Sequence, residues 1–168
     1  MSAVTRRSFA SLAAATIVAV PAVRLLSRAR AATPAAERFE VTLTEAQWKA
    51  KLSPAAFEVL RHEDTERPFT SPLLAEHRRG TFACAGCALP LFSSATKFDS
   101  GTGWPSFYAP LPNAVRTRED ASLGFTRTEV HCRRCGGHLG HVFDDGPKPT
   151  GLRYCMNGVA LTFAPAKA

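Results

Sequence analysis

Two cysteine pairs constrain the fold of this 168-residue sequence more than any other feature. Cys84 and Cys87 form one CxxC motif, and Cys132 and Cys135 form a second after an insert of 44 residues. Two such motifs on tight turns bring four thiolates into the tetrahedral arrangement that Zn²⁺ prefers. The insert is longer than in common zinc ribbons. We therefore expect the two turns to join distant parts of one domain around a single structural zinc ion.

The N-terminus has the pattern of an export signal. Arg6 and Arg7 precede an uncharged apolar run over residues 9–23, and small residues follow up to Ala31. This pattern is typical of a secretory signal peptide, and the arginine pair resembles a twin-arginine signal. An uncleaved membrane anchor is the alternative, but the run is shorter than the roughly 20 residues of a spanning helix. We expect a twin-arginine signal over 1–31 and an exported, periplasmic or extracytoplasmic mature protein that does not span a membrane.

Export leaves two other interpretations of the cysteine pairs open. An oxidising compartment favours disulfides, and a CxxC motif can also be a redox pair of thioredoxin type. The twin-arginine route resembles the transport of proteins that are already folded. Zinc inserted in the reducing cytoplasm would then travel with the protein, which favours the structural metal site.

The net charge of +7 is concentrated in the N-terminal segment. Residues 1–31 contain five arginines and no acid, which leaves 16 lysines and arginines against 14 acids in the remainder. A basic nucleic-acid-binding surface on the domain is therefore not supported, and we expect no nucleic-acid partner. A nucleic-acid-binding zinc protein and a non-catalytic zinc module that binds a peptide are the alternatives to an enzyme.

Ordered structure is expected after a linker over 32–43. Thr44 and Gln47 have the spacing of a helical capping box, and Ser53 followed by proline predicts the start of a second helix. Short apolar runs broken by glycine and proline then predict strands. These runs are 81–83, 113–118, 124–131, 138–143 and 152–163. The expected fold is α+β, mainly antiparallel sheet behind short helices, as one domain over 44–168.

The fifth cysteine, Cys155, is the candidate nucleophile. An odd cysteine in an exported protein indicates a reactive thiol or an intermolecular bond, whereas a buried inert thiol is the ordinary alternative. Strand periodicity places Arg153, Cys155 and Asn157 on one face. A guanidinium on that face favours the thiolate, and a nearby amide can orient it.

Three of the five histidines lie within eleven residues. His138 and His141 fall on opposite faces of a regular strand, but a bulge at Gly140 would bring them to one face. An imidazole there can act as an acid or a base near neutral pH, and we expect Asp145 to orient or protonate it. His131 adjoins the second CxxC motif, and we expect it to be a solvated residue of that turn.

A turn rich in glycine and proline carries two further candidates, Trp104 and Phe107. Loops held by a scaffold often carry function, so Trp104 is a candidate pocket wall. An aromatic wall suits a small apolar group such as a methyl on sulfur. Packing in the core is the competing interpretation for Phe107, which we also include among the candidate substrate-binding residues.

Together these motifs resemble the methionine sulfoxide reductase B family. The resemblance rests on Gly103–Phe107, His138–Pro147, Thr150–Asn157 and the two CxxC pairs, in family order over about residues 41–164. It implies a β-rich Mss4-like fold in which zinc joins two sheet edges far from the active cysteine. It also implies reduction of methionine-R-sulfoxide, protein-bound or free, to methionine, and hence repair of oxidised proteins.

The resemblance further implies a role for each matched residue. Cys155 matches the nucleophile, whose thiolate attacks the sulfoxide sulfur and becomes a sulfenic acid. His141 matches the acid that protonates the sulfoxide oxygen, with His138 and Asp145 in support. Trp104 matches the wall that contacts the ε-methyl group, and Arg153 matches the arginine near the thiolate. Asn157 matches a residue that helps to hold the sulfoxide and water.

One position departs from the family pattern. Many members carry a resolving cysteine where this chain has Thr102, and that cysteine closes a disulfide with the oxidised nucleophile. All remaining cysteines of this chain are assigned to zinc, so the sulfenic acid must meet an external thiol or displace a zinc ligand, which would endanger the fold. We expect an external reductant, either a thioredoxin-like protein or a small dithiol.

Overall fold

The structure, a computed structural model, describes residues 37–167; the predicted signal over 1–31 and the linker up to residue 36 lie outside it. Two short helices come first, α1 (Glu45–Lys51) and α2 (Pro54–His62). Thr44 and Gln47 form the predicted capping box, and the Ser53 hydroxyl accepts a hydrogen bond from the Ala56 N–H at the start of α2. Both predicted helix starts are confirmed.

Nine short strands follow within residues 37–167 and form two antiparallel sheets. They are β1 (Gly80–Cys84), β2 (Pro90–Ser93), β3 (Lys97–Phe98), β4 (Ser106–Phe107), β5 (Val115–Asp120), β6 (Arg127–Cys132), β7 (His138–Phe143), β8 (Arg153–Met156) and β9 (Leu161–Pro165). One sheet has the order β2-β1-β9, and the other has the order β3-β4-β8-β7-β6-β5. The predicted mainly antiparallel α+β fold is confirmed.

The strand predictions differ from the structure in two ways: short strands were missed, and one predicted strand is two. Strands β2, β3 and β4 were not predicted, because two to four residues are too few to show an alternating pattern. The predicted strand over 152–163 is two strands in different sheets, separated by a 3₁₀ turn over Gly158–Ala160. A Cβ on Gly158 would lie 1.8 Å from the Ser71 hydroxyl oxygen, so the chain turns where only glycine fits.

Aromatic side chains fill the space between the sheets and the helices. Phe107 stacks on Phe92 with ring centroids 4.4 Å apart and meets Phe82 edge-on at 5.0 Å. All three side chains are fully buried. Phe107 is therefore a core residue that supports the sheet, and this corrects the expectation that it contacts substrate.

None of the helices formed by residues 37–167 has the length and apolar content needed to cross a membrane.

Candidate active site and metal site

Cys155 lies on β8, between β4 and β7 in the larger sheet. Its register partners are Ser106 on β4 and His141 on β7. Cys155 and His141 line a cavity of about 120 Å³ together with Trp104 and Asn157. The structure thus brings four of the predicted site residues together around one small cavity.

A bulge in β7 places two imidazoles side by side. The pairing between β6 and β7 skips Leu139, and the rings of His138 and His141 lie 5.3 Å apart. Gly140 is required there, because a Cβ on it would lie 2.1 Å from the carbonyl oxygen of Cys155. The predicted bulge is present beside Gly140, and His141 reaches the cavity as a result.

The carboxylate at His141 belongs to Asp120, which sequence reasoning missed. His141 Nε2 lies 2.7 Å from Asp120 Oδ2, and Arg127 donates to the same oxygen at 2.6 Å. Asp120 and Arg127 are register partners in the β5–β6 hairpin. Aligning the two predicted strands that became β5 and β6 as a hairpin was the sequence signal that could have found Asp120 and Arg127. Burial lowers the pKa of His141, against the hydrogen bond to Asp120, so the ring is neutral at pH 7.

Asp145 contacts Arg153 instead of an imidazole, and this corrects the expectation that it orients a histidine. Its two carboxylate oxygens accept hydrogen bonds of 2.8 Å from Arg153 Nε and Nη2. The guanidinium also lies 4.4 Å from the centre of the Phe143 ring. These contacts hold the Arg153 charge near Cys155, where it favours the thiolate.

Hydroxyl groups surround the Cys155 sulfur. Thr102 Oγ1 lies 3.8 Å from Cys155 Sγ, and Ser100 Oγ lies 2.8 Å from Thr102 Oγ1 and 2.7 Å from Ser106 Oγ. Burial raises the pKa of the Cys155 thiol, while Thr102, Arg153 and Ser106 act in the opposite direction. The thiol therefore carries its proton at neutral pH in the resting protein.

Glu66 connects two walls of the cavity and was not predicted from the sequence. Its carbonyl oxygen accepts a hydrogen bond from Trp104 Nε1 at 3.0 Å, and its N–H donates to Asn157 Oδ1 at 3.0 Å. Its carboxylate accepts from the backbone N–H groups of Gly158 and Val159. The segment that carries Glu66 thus fixes the side chains of Trp104 and Asn157, two of the predicted site residues.

A buried ion network lies behind His138. The Glu129 carboxylate is 2% exposed, and His138 Nδ1 lies 2.7 Å from it. Arg118 pairs with the same carboxylate. Burial opposes ionisation of Glu129, but the His131 ring 3.7 Å away, the hydrogen bond to His138 and the charge of Arg118 outweigh it and lower its pKa. His131 is fully buried, with Nε2 2.9 Å from Glu37, which corrects the expectation that it is solvated.

Four thiols meet at the other end of the fold, where β1 ends at Cys84 and β6 ends at Cys132. All four sulfur atoms lie within 4.8 Å of one another. The Cys84–Cys135 and Cys87–Cys132 sulfurs are 3.7 and 3.5 Å apart, and none forms a disulfide. A tetrahedral site with metal–sulfur bonds of about 2.3 Å has sulfur–sulfur distances of about 3.8 Å. The cluster therefore fits a metal ion, and it joins the two sheets.

The mainly antiparallel sheets and the four-cysteine cluster place this chain in the class of metal-binding proteins with an Mss4-like fold, and a fifth cysteine lies in a separate small cavity. The family described as the SelR domain matches residues 52–165. A peptide methionine sulfoxide reductase MsrB of Thiobacillus denitrificans is 57% identical over 123 residues, 73% of this chain and 93% of the relative. One of the same description from Pseudomonas putida is 55% identical over 131 residues, 77% and 96% of the two chains.

This chain belongs to the SelR-domain family of peptide methionine sulfoxide reductases. The four cysteines of the cluster are not among the residues that line the cavity with Cys155, so the two cysteine sites of this chain are separate.

Proposed function

We propose that this protein reduces the R epimer of methionine sulfoxide, in proteins or as the free amino acid, through a sulfenic acid on Cys155. The observation that carries the proposal is the register pairing of Cys155 with His141 beside Trp104 in one cavity. The cavity accommodates a sulfoxide and its methyl group, and an aromatic wall beside the methyl favours one arrangement of the groups on sulfur.

The chemical step conserves atoms and electrons. The Cys155 thiolate attacks the sulfoxide sulfur, and the oxygen then passes to the Cys155 sulfur as both bonds to the substrate sulfur break, so cysteine is oxidised to sulfenic acid and the sulfoxide is reduced to a thioether. The thiol proton passes through neutral His141 to the sulfoxide oxygen and stays on the sulfenic acid. Asp120 stabilises the imidazolium that forms in transit, because its carboxylate lies 2.7 Å from Nε2.

Two external thiols complete the cycle. The first attacks the sulfenic sulfur, forming a mixed disulfide and releasing water; the second attacks that disulfide and restores the Cys155 thiol. Thr102 supports this route, because it stands where a resolving cysteine would and has no redox chemistry. The reductant is a thioredoxin-like protein or a small dithiol.

The separate sulfoxide epimers test the proposal. Purified protein with dithiothreitol is given the R or the S epimer of N-acetylmethionine sulfoxide, and methionine formation is followed by chromatography. We expect turnover of the R epimer alone and none with Cys155→Ser. Turnover of the S epimer, or activity in Cys155→Ser, would overturn the proposal.

We also propose that the metal is zinc, bound by Cys84, Cys87, Cys132 and Cys135, and that its role is structural. Four thiolates close a tetrahedral zinc site and leave no open position for substrate. The ion would hold the ends of β1 and β6 together, because each strand supplies the first cysteine of one pair.

Export is the last part of the proposal. The arginine pair and the apolar run support a twin-arginine signal over 1–31 and an extracytoplasmic mature protein. Replacing Arg6 and Arg7 with lysine should retain the precursor in the cytoplasm. Unchanged export of that variant would show that another pathway or a plain anchor operates.

A further inference from the structure

A second cavity opens beside the reaction cavity. It has a volume of about 490 Å³ and lies between the start of β6, the end of β7 and the residue before β8. Its apolar walls include Phe125, Phe143 and Leu152. Arg127 and Phe143 line both cavities, so the two are adjacent. We call this second cavity the flanking groove.

The size of the reaction cavity requires a second binding surface for a polypeptide substrate. A volume of about 120 Å³ is close to that of the engineered cavity of about 150 Å³ that holds one benzene molecule. It therefore holds the end of one side chain. The residues on either side of a methionine sulfoxide must lie outside it, and the flanking groove is the adjoining cavity, with Arg127 and Phe143 in the wall of both.

The walls of the groove indicate which residues it fits. Phe125 is 60% exposed, and it is among the few large apolar side chains left exposed in residues 37–167. Arg127 is neutralised by Asp120 and lies 5.8 Å from the centre of the Phe125 ring. Two threonines and Asp144 complete the lining. Aromatic and aliphatic walls beside a neutralised guanidinium suit an apolar or aromatic side chain.

The chemistry of methionine oxidation supplies such a side chain. Methionine is mostly a core residue, and its sulfoxide disrupts core packing. An oxidised segment that has come out of a core carries apolar neighbours with it. In an extended chain the side chains two residues apart point to the same side. A methionine sulfoxide in the reaction cavity therefore presents its apolar neighbours to the adjoining surface.

We infer that the flanking groove binds an apolar or aromatic side chain of the substrate polypeptide, within a few residues of the methionine sulfoxide. The inference rests on the proposed function and adds a sequence preference to it: methionine sulfoxides that have an apolar or aromatic residue within a few positions. Free methionine sulfoxide does not reach the groove.

Two exposed residues provide a matched pair of variants. Phe125→Ser removes a groove wall, whereas Leu123→Ser changes a side chain of similar exposure, 61%, that does not line the groove. The substrates are N-acetylmethionine sulfoxide and extended peptides with one methionine sulfoxide, in which phenylalanine or glycine occupies each of the three positions on either side. The measurement is kcat/KM with dithiothreitol.

We expect wild-type protein to prefer the best phenylalanine peptide over its glycine counterpart by about tenfold, the ratio that about 1.4 kcal/mol of binding free energy produces. Phe125→Ser should abolish that preference and leave turnover of N-acetylmethionine sulfoxide unchanged, and Leu123→Ser should change neither. Equal kcat/KM for all wild-type peptides, or equal effects of the two variants, would overturn the inference. If wild-type protein did not reduce N-acetylmethionine sulfoxide at all, that result would instead refute the proposed function.

Discussion

The hydroxyl oxygen of Thr102 lies 3.8 Å from the sulfur of Cys155. That separation is a contact distance, so a side chain at position 102 is already within reach of the nucleophile. The residue at this position therefore decides how an oxidised Cys155 is resolved. With threonine at position 102, the hydroxyl groups near Cys155 accept or donate hydrogen bonds, but they form no covalent bond to its sulfur.

Oxidation by one equivalent of substrate, without reductant, should leave a sulfenic acid on Cys155. Dimedone followed by mass spectrometry should find one adduct, on Cys155, with no disulfide and no zinc release. Thr102→Cys should instead give a disulfide between residues 102 and 155, because the two side chains are in contact. Thr102→Ser keeps the hydroxyl and should behave as wild type. A wild-type disulfide from Cys155 to a cysteine of the metal site would contradict the prediction.

Alkylation of Cys155 should respond to the charge of Arg153. Burial raises the pKa of this thiol, and the nearby guanidinium opposes the increase. Since the thiolate is the species that reacts with iodoacetamide, the alkylation rate should rise with pH and reach half its maximum at a higher pH than for a free cysteine. Arg153→Gln should move that midpoint to still higher pH.

The control for Arg153→Gln is Arg78→Gln, which removes a guanidinium paired with Glu76 on the surface. It should leave the alkylation profile of Cys155 unchanged. A profile for Arg153→Gln that coincides with wild type would show that the Asp145–Arg153 pair does not act on the thiol.

Local sequence signals predicted the elements that depend on neighbouring residues. The capping box at Thr44 and the cap at Ser53 involve contacts three residues apart. The bulge beside Gly140 was predicted because two histidines three residues apart share one face of a strand only where the strand is irregular. The paired CxxC motifs identify the metal site for the same reason, because their spacing reports turn geometry.

Contacts between residues distant in sequence could not be obtained in this way. Glu66 holds Trp104 and Asn157 only because the segment after α2 crosses the end of β8. Asp120 on β5 reaches His141 on β7 across the one intervening strand, β6, whereas the nearer Asp145, four residues along, binds Arg153 instead. Sequence proximity is a poor guide to which carboxylate orients a catalytic histidine, because strand register decides the pairing.

Glu129 should contribute stability that depends on pH. Its pKa is lowered in the folded protein, so its stabilisation is present above the ordinary glutamate pKa and is lost as the pH falls toward the folded-state value. Glu129→Gln removes a buried charge that pairs with the buried His138 and the half-exposed Arg118, and loss of a hydrogen bond to a charged group typically costs about 1.5–3 kcal/mol. Urea denaturation should show that deficit at pH 7 and a smaller one at pH 3.

Glu45→Gln is the matched control for Glu129→Gln. Glu45 also has a lowered pKa, because Lys49 hydrogen-bonds to it, but both side chains of this pair are more than half exposed. Exposed pairs contribute little to folding, so the control should unfold as wild type does at both pH values. A deficit for Glu129→Gln that stays constant between pH 7 and 3 would show that the ionised carboxylate is not the source of the stability.

Removing the metal should unfold the protein rather than merely inactivate it. Cys84 and Cys132 stand at the ends of strands in different sheets, so a metal ion bound by the four thiolates would connect the two sheets. The free energy of metal binding is folding free energy in such a site. We expect about one zinc per chain by mass spectrometry of the native protein, and loss of the cooperative thermal transition after chelation or in Cys84→Ser. Cys155→Ser, which alters a thiol outside the cluster, should keep both its zinc and its transition temperature. Protein that contains no zinc and has disulfides among the four cysteines would contradict the prediction, and so would an unchanged transition after complete zinc removal.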